Sequence, residues 1–213
     1  RRLLLTQKVI AEAGRSMVYE CGIINDERLE AEARGDDANA KALEDRLGFL
    51  TPILKGFLTE VGVEAANMGI QVYGGHGYIK SNRQEQIVRD SRISAVWEGT
   101  TQIQALDLLG RKILLEGKLK PINYHCSLLY KDCKDLMFSG ASSSVKSHAW
   151  RLLKETASLH FNTYRIASKG QSNRDCIGLA SQDYLMVAGY INMGHHWLKM
   201  EEAAAKKIAS GEG

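Results

Sequence analysis

Apolar positions recur along this chain with a helical period and almost nowhere with a two-residue one. Leu5, Val9, Ala13, Met17, Cys21 and Ile24 fall mostly four apart and mark one face of a long amphipathic helix. Asp26 to Arg34 extends it as a charged, solvated end, and Gly35-Asp36-Asp37 stops it. A second stripe, from Leu43 and Leu47 through Leu50, Leu54 and Leu58 to Val61 and Ala65, predicts a helix over about 38–68. Pro52 lacks an N–H, so a kink or restart is expected there. The segment 74–82 reads as loop. Arg83 to Val96 and Thr100 to Glu116 read as helices, the latter with Ile103, Leu106, Gly110 and Ile113 inward. Gly117-Lys118-Leu119-Lys120-Pro121 breaks the pattern and predicts a domain boundary.

Beyond it, Tyr124 to Phe138 reads as helix, and residues 139–144 as a flexible linker. Trp150, Leu153, Ala157, Phe161 and Tyr164 mark another amphipathic helix. Cys176 to Ala209 forms the last, with Tyr184, Val187, Ile191, His195 and Leu198 along one side. The expectation is an all-α chain: an up-and-down helical bundle at residues 1–117 and a smaller helical extension at residues 118–213.

Composition narrows the function classes. With 213 residues, 44% hydrophobic and 25% charged, the chain has the make-up of an ordinary globular protein. The net charge of +3 is too small and scattered for nucleic-acid binding. No apolar run approaches the ~18 residues of a membrane span. Cys21, Cys126, Cys133 and Cys176 form no C-x-x-C pair, which fits reduced thiols in the cytoplasm. His195-His196 has no carboxylate or third ligand at helical spacing, so no metal site is expected. The chain starts without Met inside a helical pattern and reads as a piece of a longer protein.

The chemistry concentrates between Gln71 and Lys112. Gly74-Gly75-His76-Gly77 frees the backbone to approach a ligand, and Glu98-Gly99 makes a second turn. Thr100 and Thr101 can cap the helix that follows. A carboxylate partly withdrawn from water beside Trp97 holds a proton more readily and becomes a usable base. The bland alternatives are an exposed Glu at a helix start and a plain helix C-cap at the glycines. The glycine cluster is neither a dinucleotide fingerprint nor a P-loop, because the required third glycine and Gly-Lys-Ser/Thr are missing. Arg89-Asp90 reads as a structural ion pair.

Three blocks in this stretch carry a resemblance. They are Gln71-Val72-Tyr73-Gly74-Gly75-His76-Gly77-Tyr78, Arg89-Asp90-Ser91-Arg92-Ile93 and Trp97-Glu98-Gly99-Thr100-Thr101-Gln102-Ile103-Gln104. In this order and spacing they resemble the C-terminal helical domain of acyl-CoA dehydrogenases. The continuation from Ala105 to Lys112 is most similar to the branch of that family that includes methylmercaptopropionyl-CoA dehydrogenase, and Tyr184, Leu185, Gly189 and Trp197 resemble that branch's C-terminal extension. The family often has an acidic residue and a Pro or Gly turn where this chain has Lys80-Ser81-Asn82-Arg83-Gln84, which leaves that loop's geometry open.

The resemblance implies an oxidoreductase of fatty-acid metabolism that uses FAD to desaturate an acyl-CoA at the α,β position. Glu98 is then the catalytic base and Gly99 lies against the acyl thioester. Thr100 and Gln102 contact the flavin, and Gln71, Gly74 and Gly75 contact the FAD diphosphate from a neighbouring subunit. It further implies a homodimer or homotetramer, an electron-transfer flavoprotein as partner, and an inactive isolated chain. An acyl-CoA oxidase, a flavoprotein of the DNA-alkylation-response type and a non-catalytic helical interaction module remain open alternatives.

Overall fold

The computed structural model describes residues 1–211, and among these every regular element is helical. The all-α expectation holds; the last two residues of the expected extension, Glu212 and Gly213, lie outside the described residues.

Helix α1 spans Arg2–Ala33 and α2 spans Asp37–Tyr73. Gly35, at φ 72°, turns the chain between them, and the Asp36 carboxylate caps α2 by accepting the Asn39 N–H. The two run antiparallel: Gln7 reaches the Ala65 carbonyl at 2.8 Å while Glu20 meets Arg46 at 2.6 Å. Short α3 (Gly75–Tyr78) and a 3-10 turn over Lys80–Asn82 fill the expected loop. Arg83, left-handed at φ 61°, makes the turn into α4 (Gln84–Arg92) in place of a glycine. After a 3-10 turn at Ile93–Ala95 comes α5 (Thr101–Leu106), which continues as π-helix over Asp107–Leu115.

Left-handed Lys118 and Leu119 lead into α6 (Lys120–Phe138), followed by α7 (Ser143–Ser172) and α8 (Asp175–Ser210). The linker is shorter than predicted, because the Ser142 hydroxyl caps α7 by accepting the Val145 N–H. Helix α7 runs antiparallel to both neighbours, as the pairs Tyr130–His160, Asn123–Tyr164, Thr163–Tyr184 and His148–Glu201 show.

One continuous core runs from Ala13 and Met17 of α1 through Phe57, Leu108 and Cys126 to Leu185 and Leu198 of α8. Its tightest point is the crossing of α2 and α8. A Cβ on Gly189 would lie 2.1 Å from the Phe57 ring, so only glycine admits that approach. Phe57 is fully buried, a gain of about 1.5–3 kcal/mol over exposure.

Several expected faces are corrected. Helix α2 passes through Pro52 without a break; the Thr51 hydroxyl donates to the Leu47 carbonyl in that turn. The deepest side of α2 is Phe49, Ile53 and Phe57, while Leu43, Leu47, Leu54 and Leu58 are only partly buried. On α7 the periodicity was right but the face was not: Trp150, Phe161 and Tyr164 are exposed, and Val145, Ala149, Leu152, Leu159 and Thr163 point inward. On α8, Tyr184, Ile191, His195 and Leu198 are buried as expected, but Val187 is exposed. In α5 and its π-helical continuation, Ile103 and Leu106 face outward, while Thr101, Ala105, Leu108, Leu109 and, as expected, Ile113 face the core. From Asp107 onward π geometry changes the angular step between residues and breaks the 3.6-residue register there.

Candidate functional site

The Glu98 turn is built by the elements on either side. The 3-10 turn ends at Ala95, and Val96 and Trp97 donate their N–H groups to the Ile93 carbonyl. Glu98 then takes φ 53° and Gly99 φ 99°, reversing the chain into α5. Left-handed backbone is easy for glycine but costs a Glu about 1–2 kcal/mol, so the surroundings must impose it. Those surroundings come from α2 and α5. The Lys55 ammonium donates to the Ser94 carbonyl at 2.6 Å, and the Thr101 hydroxyl donates to the Glu60 carboxylate. The Gln104 amide donates to the Glu98 carbonyl at 3.4 Å and packs so closely that a Cβ on Gly99 would lie 2.6 Å from its nitrogen.

Glu98 is exposed, and Trp97 beside it is 56% exposed. The desolvation expected of this carboxylate is therefore not supplied by the described residues. Around it lies an open apolar surface of Ile93, Val96, Trp97, Ile103 and Leu106. Thr100 occupies the N-cap position of α5, yet its hydroxyl makes no capping bond. Thr101 does not cap either, since its hydroxyl is taken by Glu60. The Gln102 amide nitrogen is also committed: it donates to the Ser181 hydroxyl at 2.9 Å and, more weakly, to the Gly178 carbonyl on α8.

The glycine turn sits at the end of α2. Gly74, at φ 61°, donates its N–H to the Gln71 carbonyl, and Gly77 donates to Gly74. Gln71, Gly74 and Gly75 are exposed, and a Cβ on Gly74 or Gly75 would meet nothing within 4 Å. This turn packs mainly against α2 and α4, whereas α5 packs against α2 and α8, so the two groups of site residues do not converge on one pocket. Arg89 pairs with Glu85 at 2.8 Å, which corrects its expected pairing with Asp90.

A second polar constellation joins α1, α2, α6 and α8. Glu20 accepts from Arg46 at 2.6 Å and from His196 Nε2 at 3.0 Å. The Ser16 hydroxyl lies 2.8 Å from His196 Nδ1. Burial pushes the Glu20 carboxyl up, but the His196 hydrogen bond and the Arg46 guanidinium outweigh it and hold it at about 2. His195 Nε2 donates to Asp132 at 2.8 Å. The hydroxyl–imidazole–carboxylate order of Ser16, His196 and Glu20 suits a nucleophile, but Ser16 lies inside α1, where backbone N–H groups are spent in the helix and none is left for an oxyanion. We read this junction as structural.

The Glu98 turn, by contrast, leaves its carboxylate exposed and the Thr100 hydroxyl free of a capping bond. The family described as "Acyl-CoA dehydrogenase, C-terminal domain" matches residues 1–114. The chain belongs to the acyl-CoA dehydrogenase family. A second family, "Acetyl-CoA dehydrogenase C-terminal like", matches residues 126–213. The 3-methylmercaptopropionyl-CoA dehydrogenase of Ruegeria pomeroyi is 34% identical over 99% of this chain and 35% of its own length. A broad-specificity linear acyl-CoA dehydrogenase of Mycobacterium tuberculosis is 27% identical over 100% of the chain and 34% of its own. A butyryl-CoA dehydrogenase of Syntrophomonas wolfei is 32% identical over 54% of the chain and 18% of its own. The chain spans about a third of the length of the first and second of these acyl-CoA dehydrogenases.

The residues of this acyl-CoA dehydrogenase domain fit a bound cofactor and thioester at the Glu98 turn, because the Thr100 hydroxyl is unspent by its helix and an apolar surface lies open beside it. Sequence reasoning assigned no role to Lys55, Glu60 or Gln104. The signal for the first two was a pair of charged residues five apart within the apolar run of α2.

Proposed function

We propose that the complete protein is an FAD-dependent acyl-CoA dehydrogenase with Glu98 as its base. The observation that carries this reading is the turn itself: an exposed carboxylate held in left-handed backbone, next to a glycine and an unspent hydroxyl. Left-handed backbone on a non-glycine residue, found also at Arg83, Lys118 and Leu119, motivates the assignment at Glu98 because there it presents an exposed carboxylate beside an unspent hydroxyl. The Glu98 carboxylate takes the α-proton of the acyl-CoA, the β-hydrogen leaves as hydride, and Cα=Cβ forms to give a 2,3-enoyl-CoA. Bound FAD supplies the hydride acceptor. Gly99 lets backbone lie against the thioester. Thr100 contacts the cofactor through its hydroxyl, and Gln102 through its carbonyl oxygen, because α8 occupies its nitrogen. Gln71, Gly74 and Gly75 contact the diphosphate of the FAD held by a partner subunit, a role their open surroundings support.

In the same reading residues 1–117 are the catalytic bundle and 118–213 an extension, jointed at left-handed Lys118 and Leu119. Exposed Leu4, Leu5, Val18, Tyr19 and Ile23 on α1 support a homodimer or homotetramer. An electron-transfer flavoprotein is the redox partner. No described helix is long and apolar enough to cross a membrane. Four unpaired cysteines support a reducing, cytoplasmic setting.

The test is Glu98→Gln in the complete protein. It keeps shape but cannot accept the proton, so FAD and acyl-CoA stay bound while anaerobic flavin bleaching by substrate slows by about 10²–10⁴-fold. Bleaching at the parent rate would overturn the assignment.

A further inference from the structure

We propose that Lys55, Glu60 and Gln104 are positioning residues that aim the Glu98 carboxylate by clamping its turn onto α2. The proposal rests on the reading of Glu98 as the base. It goes further by naming side chains that never touch substrate and yet set the direction of the group that does.

The geometry is a two-point anchor with a prop beneath. Lys55 and Glu60 lie five residues apart on α2, about 7.5 Å along its axis. Lys55 holds the Ser94 carbonyl at 2.6 Å, four residues before Glu98. Glu60 receives the Thr101 hydroxyl, three residues after it, and lies 3.9 Å from the Arg92 guanidinium. Residues 94–101 therefore leave α2 at one fixed point and return at another, with Glu98 in the arc between. A charged donor on a carbonyl and a charged acceptor on a hydroxyl make both anchors stronger than neutral hydrogen bonds.

The prop is Gln104. Its amide nitrogen lies under Gly99 and donates to the Glu98 carbonyl. Its stem lies flat on α2, where a Cβ on Gly56 would come within 3.2 Å of the Gln104 Cβ. Glycine at 56 admits Leu185 of α8 most closely, at 2.5 Å from such a Cβ, and Gln104 beside it, and glycine at 99 lets the turn sit on Gln104. A left-handed Glu persists only where its surroundings over-determine it, and these three contacts fix the turn on either side of Glu98 and at its own carbonyl. Without them residue 98 relaxes toward negative φ and its carboxylate swings off line. Proton transfer depends on reach, and a misplacement of about 1 Å can cost on the order of 10²-fold.

The experiment uses Lys55→Met, Lys55→Arg and Gln104→Leu in the complete protein, with Glu98→Gln alongside. Lys55→Met should slow substrate-driven flavin bleaching by about 10–100-fold. Flavin content and acyl-CoA affinity should stay at parent values, and Lys55→Arg should recover most of the rate. A second readout does not depend on activity. Amide hydrogen exchange over residues 95–101 should quicken in Lys55→Met and Gln104→Leu while the cores of α2 and α8 keep their protection. If Lys55→Met loses protection throughout the molecule, Gln104→Leu decides on the same two readouts, since it removes one weak bond.

Parent-like rates and parent-like exchange in both variants would overturn the clamp. A slow Glu98→Gln beside them would leave the base assignment standing. A parent-like Glu98→Gln would instead overturn the base, and exchange over residues 95–101 would still decide whether the clamp exists.

Discussion

At the junction of α1, α2 and α8, Glu20 receives two donors, His196 is engaged at both ring nitrogens, and the whole group lies largely out of water. At the turn before α5, Glu98 has an exposed carboxylate, a strained backbone and uncovered apolar neighbours. Both regions hold an acid among hydroxyls and rings. At the junction Glu20, Arg46, His196 and Ser16 pair with one another, which stabilises the fold, and only Arg46 Nε and His125 Nε2 are buried there without a partner among the described residues. At the turn the fold supplies orientation and leaves the carboxylate and the Thr100 hydroxyl unspent. A polar cluster is informative about function through what it leaves open to a ligand at the surface, more than through which residue types it contains.

Substitutions at both regions, acid and a change on the outer face of α1 sharpen that contrast. The largest effect on stability belongs to His196→Ala, which takes one of the two donors from Glu20, strands Ser16 and leaves a small void. It should cost about 2–4 kcal/mol in urea unfolding. Glu98→Gln should change stability by less than about 0.5 kcal/mol, as expected of an exposed position. Equal losses in the two variants would erase the distinction.

Acid comes next. Burial pushes His125 down to about 3, and it pushes His195 down as well, helped by Lys199 and opposed by the Asp132 hydrogen bond. His125 packs against Phe49 with the rings tilted, and Arg46 of α2, Glu20 of α1 and His195 of α8 are the charged or titratable groups acting on it. An unfolded histidine takes a proton near pH 6.5 while these resist it, so stability is full above pH 6.5 and falls as pH drops below it. His125 alone accounts for about 2 kcal/mol between pH 6.5 and pH 5. Glu20 adds its loss only as pH falls below about 4.3 toward 2, because its folded value lies beneath the ordinary carboxylate range. Stability that stays flat from pH 7 to pH 5 would contradict this account of the junction.

The smallest effect on stability, and a clear one on assembly, belongs to the outer face of α1. Tyr19→Glu with Ile23→Lys touches exposed side chains and should leave unfolding within about 0.5 kcal/mol. Sedimentation should show the parent as a dimer or tetramer and this variant shifted toward monomer. A parent that sediments as a strict monomer would remove the subunit contacts from the proposal.

The helices were legible in the sequence because a 3.6-residue period survives wherever one face is buried. Their faces were less so. Trp150, Phe161, Ile103 and Leu106 are apolar but point outward, and periodicity cannot tell a face that meets this core from one left open. Pro52 marks no restart either, since α2 continues through it as one helix despite the missing donor. At the site, the glycines announced two turns. The left-handed Glu98 did not show, because its conformation is imposed by Lys55 and Glu60, about forty residues earlier in the chain, and no local pattern carries that information.

The central claim is that Glu98 removes the α-proton, and the most direct measurement isolates that step. An acyl-CoA with no β-hydrogen, such as acetyl-CoA, permits proton removal and nothing further. In deuterated water the complete protein should exchange its α-hydrogens for deuterium, and Glu98→Gln should slow that exchange by about 10²-fold or more. Exchange at the parent rate in Glu98→Gln would place the base elsewhere and contradict the account.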